Sequence, residues 1–328
     1  MIVQIESSIY NSPKHFDILD QIVPIFQSGK HIWDINDNPE MIMESEWMKI
    51  DDAGKRQRKR VDDLLKMAVT SLYIGKKQRK NKLTILIEEK IQSDFSLKPE
   101  IALLCLLDSL YIIVENSNSD KTFIETIANA YKYVEITNGI DQGWIKFDTE
   151  GGKGGIIRRI EFHQRKKFKP RLLVLLDSDK EFPKDTHKAK KEELFCTKND
   201  IDYHILYKRA IENYIPDEAF NTFNTGLNEI IKVYCSLKEH QKDFFDLKKG
   251  FNNKGSLPPN QVELFEGINS KSPVFKTLRK GLNAKGFNPN NLHLFFKDSK
   301  VTKEVLDKRC TTNQGELQQI LNKILRLL

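Results

Sequence analysis

Hydrophobic positions along this chain keep two rhythms. Short unbroken apolar runs recur through its first two thirds: LTILIEE (Leu83–Glu89), LYIIVE (Leu110–Glu115), RLLVLLDSD (Arg171–Asp179) and DYHIL (Asp202–Leu206). A run without polar alternation predicts a strand buried on both faces, as in the middle of a parallel sheet. Gly143–Phe147 and His31–Ile35 predict shorter strands. Between the runs, apolar residues fall at helical spacing. Phe16–Phe26 reads as a short helix cut by Pro24, and Ser96–Ser109 as a buried helix, apolar on all sides from Ile101 to Leu107. Lys121–Lys132, Ile156–Lys167 and a charged stretch ending near Cys196 read as further helices. Val61, Leu64, Leu65, Ala68, Val69 and Leu72 mark one stripe of a long helix that begins at Lys55. Alternating strand and helix argues for an α/β fold with a mostly parallel sheet covered on both faces.

Beyond Pro216 the strand signal fades. Thr222–Leu237, Lys242–Lys249, Pro259–Ile268, Val274–Leu282 and Thr302–Arg309 read as short helices between Gly, Pro and Asn loops. Leu317, Ile320, Leu321, Ile324, Leu325 and Leu328 form the stripe of a last helix. Three regions are therefore expected: an amino-terminal α/β region with a basic helix (1–95), a central α/β domain (96–216) and a helical domain (217–328).

Charge changes this picture at one place. The 328 residues carry a formal charge of +7. Between Gly54 and Lys82 stand eleven Lys or Arg against two Asp, which leaves the rest of the chain near neutral. The basic runs, Lys55, Arg56, Arg58, Lys59, Arg60 and then Lys76, Lys77, Arg79, Lys80, are candidates for contact with a nucleic-acid backbone, the alternative being a solvated helix face. Four dispersed cysteines, Cys105, Cys196, Cys235 and Cys310, fit reduced thiols of a cytoplasmic protein better than a zinc site. No apolar run approaches the length of a membrane span, and the first residues lack the pattern of a secretion signal.

Acids close the apolar runs. Glu115 follows LYIIV, Asp177 and Asp179 follow LLVLL, and Glu212 stands soon after DYHIL. In extended geometry Asp177 and Asp179 would project to the same side. The carboxyl ends of neighbouring parallel strands share one edge, so the four carboxylates are expected to meet where α/β sheets bind ligands. Such a cluster suits Mg²⁺ or Mn²⁺ and two-metal phosphodiester chemistry. The loop Gly151-Gly152-Lys153-Gly154-Gly155 at a helix start offers backbone N–H groups and Lys153 to a phosphate. Blander readings stand beside these. Glu212 could pair with Lys208 one helical turn earlier, His163, His187 and His204 could be satisfied surface or core groups, and Tyr214 and Trp144 core residues.

At these residues the sequence resembles the TOPRIM domain, most closely the nuclease type of the OLD (overcoming lysogenisation defect) family and related bacterial anti-phage effectors. The matching stretches are VENSNSD (Val114–Asp120), GGK (Gly151–Lys153), LLDSD (Leu175–Asp179) and KRAIENY (Lys208–Tyr214), about a third of the chain. The resemblance implies a Rossmann-like sheet, a metal site of Glu115, Asp177 and Asp179 with Glu212 as a further acid, and Lys153 as a phosphate contact. It implies a metal-dependent nuclease acting in anti-phage defence, with DNA the favoured substrate and a TOPRIM ribonuclease or another phosphotransfer enzyme the rival among enzymes. The alternative is a non-catalytic nucleic-acid-binding or scaffold subunit with a degenerate TOPRIM fold. The pattern departs from the family's after Glu115. Asn116 stands where glycine is usual, and Asp120 lies five residues on, where the family has an Asp at four. No P-loop is present, so the ATPase of OLD proteins would have to be a partner chain; a second copy of this chain is the other assembly expected.

Overall fold

The computed structural model describes residues 1–35, 39–49, 61–66, 82–89, 93–220, 228–251, 256–282 and 289–328. Two four-stranded sheets organise them, and every strand pairing in both is parallel. The first sheet holds β1 (Ile2–Ile5), β2 (Ile32–Asp34), β3 (Thr84–Ile87) and β4 (Ser96–Leu97), in the order β2-β1-β3-β4. The second holds β5 (Leu110–Ile113), β6 (Ile145–Asp148), β7 (Leu172–Leu176) and β8 (Asp202–Ile205), in the order β6-β5-β7-β8. The expected strands are thus present, but they divide between two sheets. Among the described residues no helix is long and apolar enough to cross a membrane.

The second sheet shows why its strands read as unbroken apolar runs. Leu110, Ile112, Val114, Leu173 and Leu175 face one core, together with α3 (Ser117–Ala130), α4 (Val134–Asp141) and the carboxyl-terminal helices. Ile113, Leu172, Val174 and Leu176 face the other, against α5 (Lys153–Gln164) and α6 (Lys190–Lys198). Successive side chains of a strand point to opposite faces, and here both faces are covered. The last helix, α7 (Glu316–Leu327), buries Leu317, Ile320, Leu321, Ile324 and Leu327 in the first of these cores.

Around the first sheet the core is built by α1 (Phe16–Gln27) and α2 (Pro99–Leu107), which also pack on each other. Pro24 lies inside α1 without ending it. Pro99 opens α2 as its first residue, where a missing N–H is harmless. The all-round apolar character of α2 had predicted full burial. Instead Leu104 and Leu107 are 50% and 58% exposed, because only one side of the helix meets the sheet. Residues 61–66 are helical, with Val61, Leu64 and Leu65 buried in this core. The rest of the expected basic helix, including Lys55, Arg56, Arg58, Lys59, Arg60, Lys76, Lys77, Arg79 and Lys80, lies outside the described residues.

The two sheets are stitched together near the amino end of β7. Arg171 donates to the carbonyls of Asp108 (2.6 Å) and Leu327 (3.3 Å), while the backbone N–H of Leu83 donates to Arg326 (3.2 Å). The carboxyl end of the second sheet is left for a different use.

Candidate functional site

The register of the second sheet brings its acids to one edge. Ile113 of β5 pairs with Val174 of β7, so Glu115 and Asp177 leave adjacent strands within about one residue of each other. Leu176 pairs with Ile205, which puts β8 and the segment after it on the other side of Asp177. That segment turns into a short 3-10 helix, Ile211–Tyr214, whose Ile211 N–H donates to Asp177 Oδ1 at 3.2 Å. Glu212, 5% exposed, sits in this turn.

Asp177 and Asp179 do not share a side by extended geometry, as the D-x-D spacing had suggested. Strand β7 stops at Leu176, and Asp179 adopts a left-handed φ of +51°. The residue between them explains the bend. Ser178 is fully buried, and its hydroxyl donates to the Lys208 carbonyl at 2.7 Å, while the Asp179 N–H donates to the Arg209 carbonyl at 2.9 Å. The chain is anchored to the 208–209 segment through Ser178. A non-glycine residue in that φ region is strained unless its surroundings fix it, and Asp tolerates it better than most.

Asn116 and Asp120, which depart from the family pattern, have a structural role. Asn116 is the N-cap of α3, its side chain accepting from the N–H groups of Asn118 (3.1 Å) and Ser119 (3.3 Å). Asp120 Oδ2 closes the same turn by accepting from the Asn116 N–H at 2.9 Å. A cap satisfies backbone donors that the first helical turn leaves open. The cap also delivers Asp120, 7% exposed, into the acidic crevice.

Electrostatics shows how tightly the acids are grouped. Burial, and then the carboxylates of Glu212, Glu115, Asp120 and Asp179 in that order, push Asp177 well above the usual carboxylate range. Asp177 keeps some exposed surface although its carboxyl is enclosed. Asp120 is raised to about 7 by burial, a rise opposed by the Asn116 N–H and supported by Glu212 and Glu115. Like charges in one poorly hydrated crevice favour the neutral acid.

Among the described residues Lys248 answers them. Lys248 Nζ lies 2.7 Å from Glu212 Oε1. Burial alone would lower its affinity for a proton, but Glu212, Asp177 and Asp246 hold its ammonium above the ordinary lysine range. Lys208 is not the partner of Glu212. It is fully buried against Asp243 at 2.8 Å and donates to the Arg309 carbonyl at 2.6 Å, and burial together with Arg309 lowers it to about 8. The turn that carries Lys248 is held by Asp246, which accepts from the N–H groups of Lys248 (3.0 Å) and Lys249 (2.8 Å) and pairs with Arg209 (3.0 Å). Gly250 (φ +65°) and Gly281 (φ +57°) cross behind it so closely that a Cβ on Gly250 would lie 2.0 Å from the Leu278 carbonyl oxygen.

The glycine loop borders the crevice through the backbone of Glu115. Its carbonyl accepts from Thr149 Oγ1 (3.1 Å) and from the Gly152 N–H (3.4 Å), and Gly152 caps α5 at φ +67°. Lys153 opens that helix; its side chain lies outside what the structure describes. The three histidines each meet a carboxylate: His163 with Asp148 (2.8 Å), His187 with Glu193 (3.0 Å) and His204 with Glu316 (2.9 Å). Tyr214 is core, its ring 5.4 Å from that of Phe123, and Trp144 packs at the edge of the same core.

The edge therefore gathers Glu115, Asp120, Asp177, Asp179, Glu212 and Lys248. Sequence reasoning missed Lys248, which no spacing announces, and left Asp120 without a role. Among the described residues no three His, Cys, Asp or Glu side chains already stand at the separations of a closed metal shell. Comparison with protein families, curated proteins and solved structures finds no match to this chain.

Proposed function

We propose that the chain is a metal-dependent nuclease of TOPRIM type, hydrolysing phosphodiester bonds, of DNA rather than RNA, in the acidic crevice of its second sheet. The observation that carries this reading is the gathering of five carboxyl groups at the carboxyl edge of parallel strands, where burial, and after it their like charges, lift Asp177 and Asp120. Such a crevice is stabilised by cations. The donors are all hard oxygens and fit Mg²⁺ or Mn²⁺ by chemistry.

Glu115, Asp177 and Asp179 would hold the metal, with Glu212 beside them. When bound, the metal makes the attacking water more acidic and neutralises charge on the phosphate. Asp120, raised to about 7 by burial in the metal-free crevice, would stand beside these ligands as a further acid. Lys248 can shift its ammonium from Glu212 to a phosphate oxygen where negative charge develops. The Gly152 end of α5 lies beside Glu115 and favours a phosphate by its dipole. The resemblance to phage-defence effectors supports that setting, with an ATPase chain or a second copy as partner, by analogy of fold alone.

Incubating the protein with plasmid, single-stranded DNA and tRNA, with Mn²⁺ or with a chelator, tests the reading. Metal-dependent cleavage that Asp177→Ala/Asp179→Ala removes supports it, and intact substrates under all conditions overturn it. One observation favours a second reading, a non-catalytic nucleic-acid-binding subunit: Lys248 already supplies a built-in cation to Glu212 at 2.7 Å. Titration of the melting temperature with Mn²⁺ separates the two, since a metal that binds the folded state stabilises it by mass action.

A further inference from the structure

A large cleft of about 1290 Å³ opens at the opposite, amino-terminal edge of the second sheet, where the starts of β3, β7 and β8 approach the end of α7. Five Lys and two Arg line it against three Asp. Those aspartates are already engaged: Asp94 (3.4 Å) and Asp200 (2.5 Å) both pair with Lys169, and Asp202 pairs with Arg326. Lys167 and Lys198 are exposed, and among the described residues neither has an ion-pair partner. Arg171 lies at the floor, 4% exposed, and donates to the main-chain carbonyls of Asp108 and Leu327. Beside these cations Phe95 is 47% exposed, with Lys169 Nζ 5.5 Å from its ring centroid. A surplus of cations beside an exposed aromatic ring is the pairing that holds phosphate and base together.

We propose that this cleft is a nucleotide-binding site, with Lys167 and Lys198 on phosphate oxygens and the Phe95 ring under a base. It is separate from the acidic crevice, being a strand length away, about 17 Å for five residues. The site does not depend on what the acids do. Its phosphate-and-base chemistry is shared by two sources, a free nucleotide and a stretch of single strand.

Fluorescence anisotropy with a labelled oligothymidylate, in chelator at low salt, reads the cleft with the metal chemistry silenced. Lys167→Ala/Lys198→Ala should weaken binding roughly tenfold and flatten the salt dependence by about one unit, and Phe95→Ala should weaken it severalfold. Lys271→Ala/Lys280→Ala, which removes two exposed lysines elsewhere, should leave it within about twofold. Competition distinguishes the sources: displacement by ATP below the concentration of unlabelled strand needed for the same effect assigns the cleft to a free nucleotide, and the reverse order assigns it to a strand. If neither the labelled strand nor labelled ATP binds, or if Lys167→Ala/Lys198→Ala acts no more strongly than the control pair, the cleft is not a nucleotide site.

Discussion

The two sheets of this protein share a strand order, second-first-third-fourth, and are parallel throughout. Their carboxyl edges are nevertheless electrostatic opposites. On the first sheet Asp34, Glu88 and Glu89, at that edge, each have a neutralising or hydrogen-bonding neighbour. Asp34 accepts from Gln4 at 2.9 Å, Glu88 accepts from Ser96, and Glu89 meets Lys14 and His15, each at 2.6 Å. Hydrogen bonds from Lys14 and then His15 hold Glu89 below its ordinary range. On the second sheet the acids face one another, and Asp177 and Asp120 rise. Topology gives both edges the same opportunity. What differs is whether the surrounding elements bring bases or further acids, so a site must be argued from its residues and not from the fold.

The contrast can be broken at several points, with effects that diminish in turn. Asp177→Ala/Asp179→Ala should abolish metal-dependent cleavage, a loss of about a thousandfold or more, whereas Glu88→Gln/Glu89→Gln on the first sheet should leave the rate unchanged. Glu212→Gln and Lys248→Met, assayed under single turnover, should each reduce the rate on the order of a hundredfold, as expected for removing electrostatic or acid–base help. If Glu212→Gln cleaves at the wild-type rate, Glu212 does not belong to the site.

Asp120 gives the contrast a pH signature. Its folded-state affinity for protons is raised above that of the unfolded chain, so the folded state binds the extra proton and is favoured below the unfolded value. That stabilisation is lost as pH climbs from about 4 to about 7. Without metal, the melting temperature should therefore fall over this window. Asp120→Asn should flatten the slope and raise the value at pH 7.5 by roughly 2 °C or more, and Mn²⁺ should narrow the difference. The smallest effect is expected at the other sheet. Glu89→Gln should lower the melting temperature by no more than about 2 °C, because exposed ion pairs contribute little.

Much of the second sheet was legible in the sequence because strands covered on both faces carry no polar interruption: Leu110–Ile113 and Leu172–Leu176 announce themselves. The meeting of Glu115, Asp177 and Glu212 followed from strand order and parallel register. Division into two sheets did not, since which parallel strands pair is decided by contacts far apart in sequence. The left-handed turn at Asp179 was hidden because it depends on Ser178 reaching Lys208, thirty positions away. Asp120 was obscured for a local reason: Asn116, a side-chain cap, stands where the pattern expects glycine, and Asp120 closes that cap from within the helix. Lys248 was invisible because its approach to Glu212 is set by the fold of the 243–250 turn, not by any spacing to the acids.

That turn has a consequence for how the protein can vary. Gly250 and Gly281 carry no functional group, yet their backbones touch where no methyl group fits, and the Leu282 N–H donates to the Leu247 carbonyl at 2.9 Å across the same crossing. A library of substitutions selected for activity should thus show two intolerant positions that contribute no side chain to the crevice. Loss at either would move Lys248 before it unfolded the second sheet. The reach of that ammonium is specified by the absence of side chains behind it, so the tolerance of the crevice to change is set by residues that never enter it.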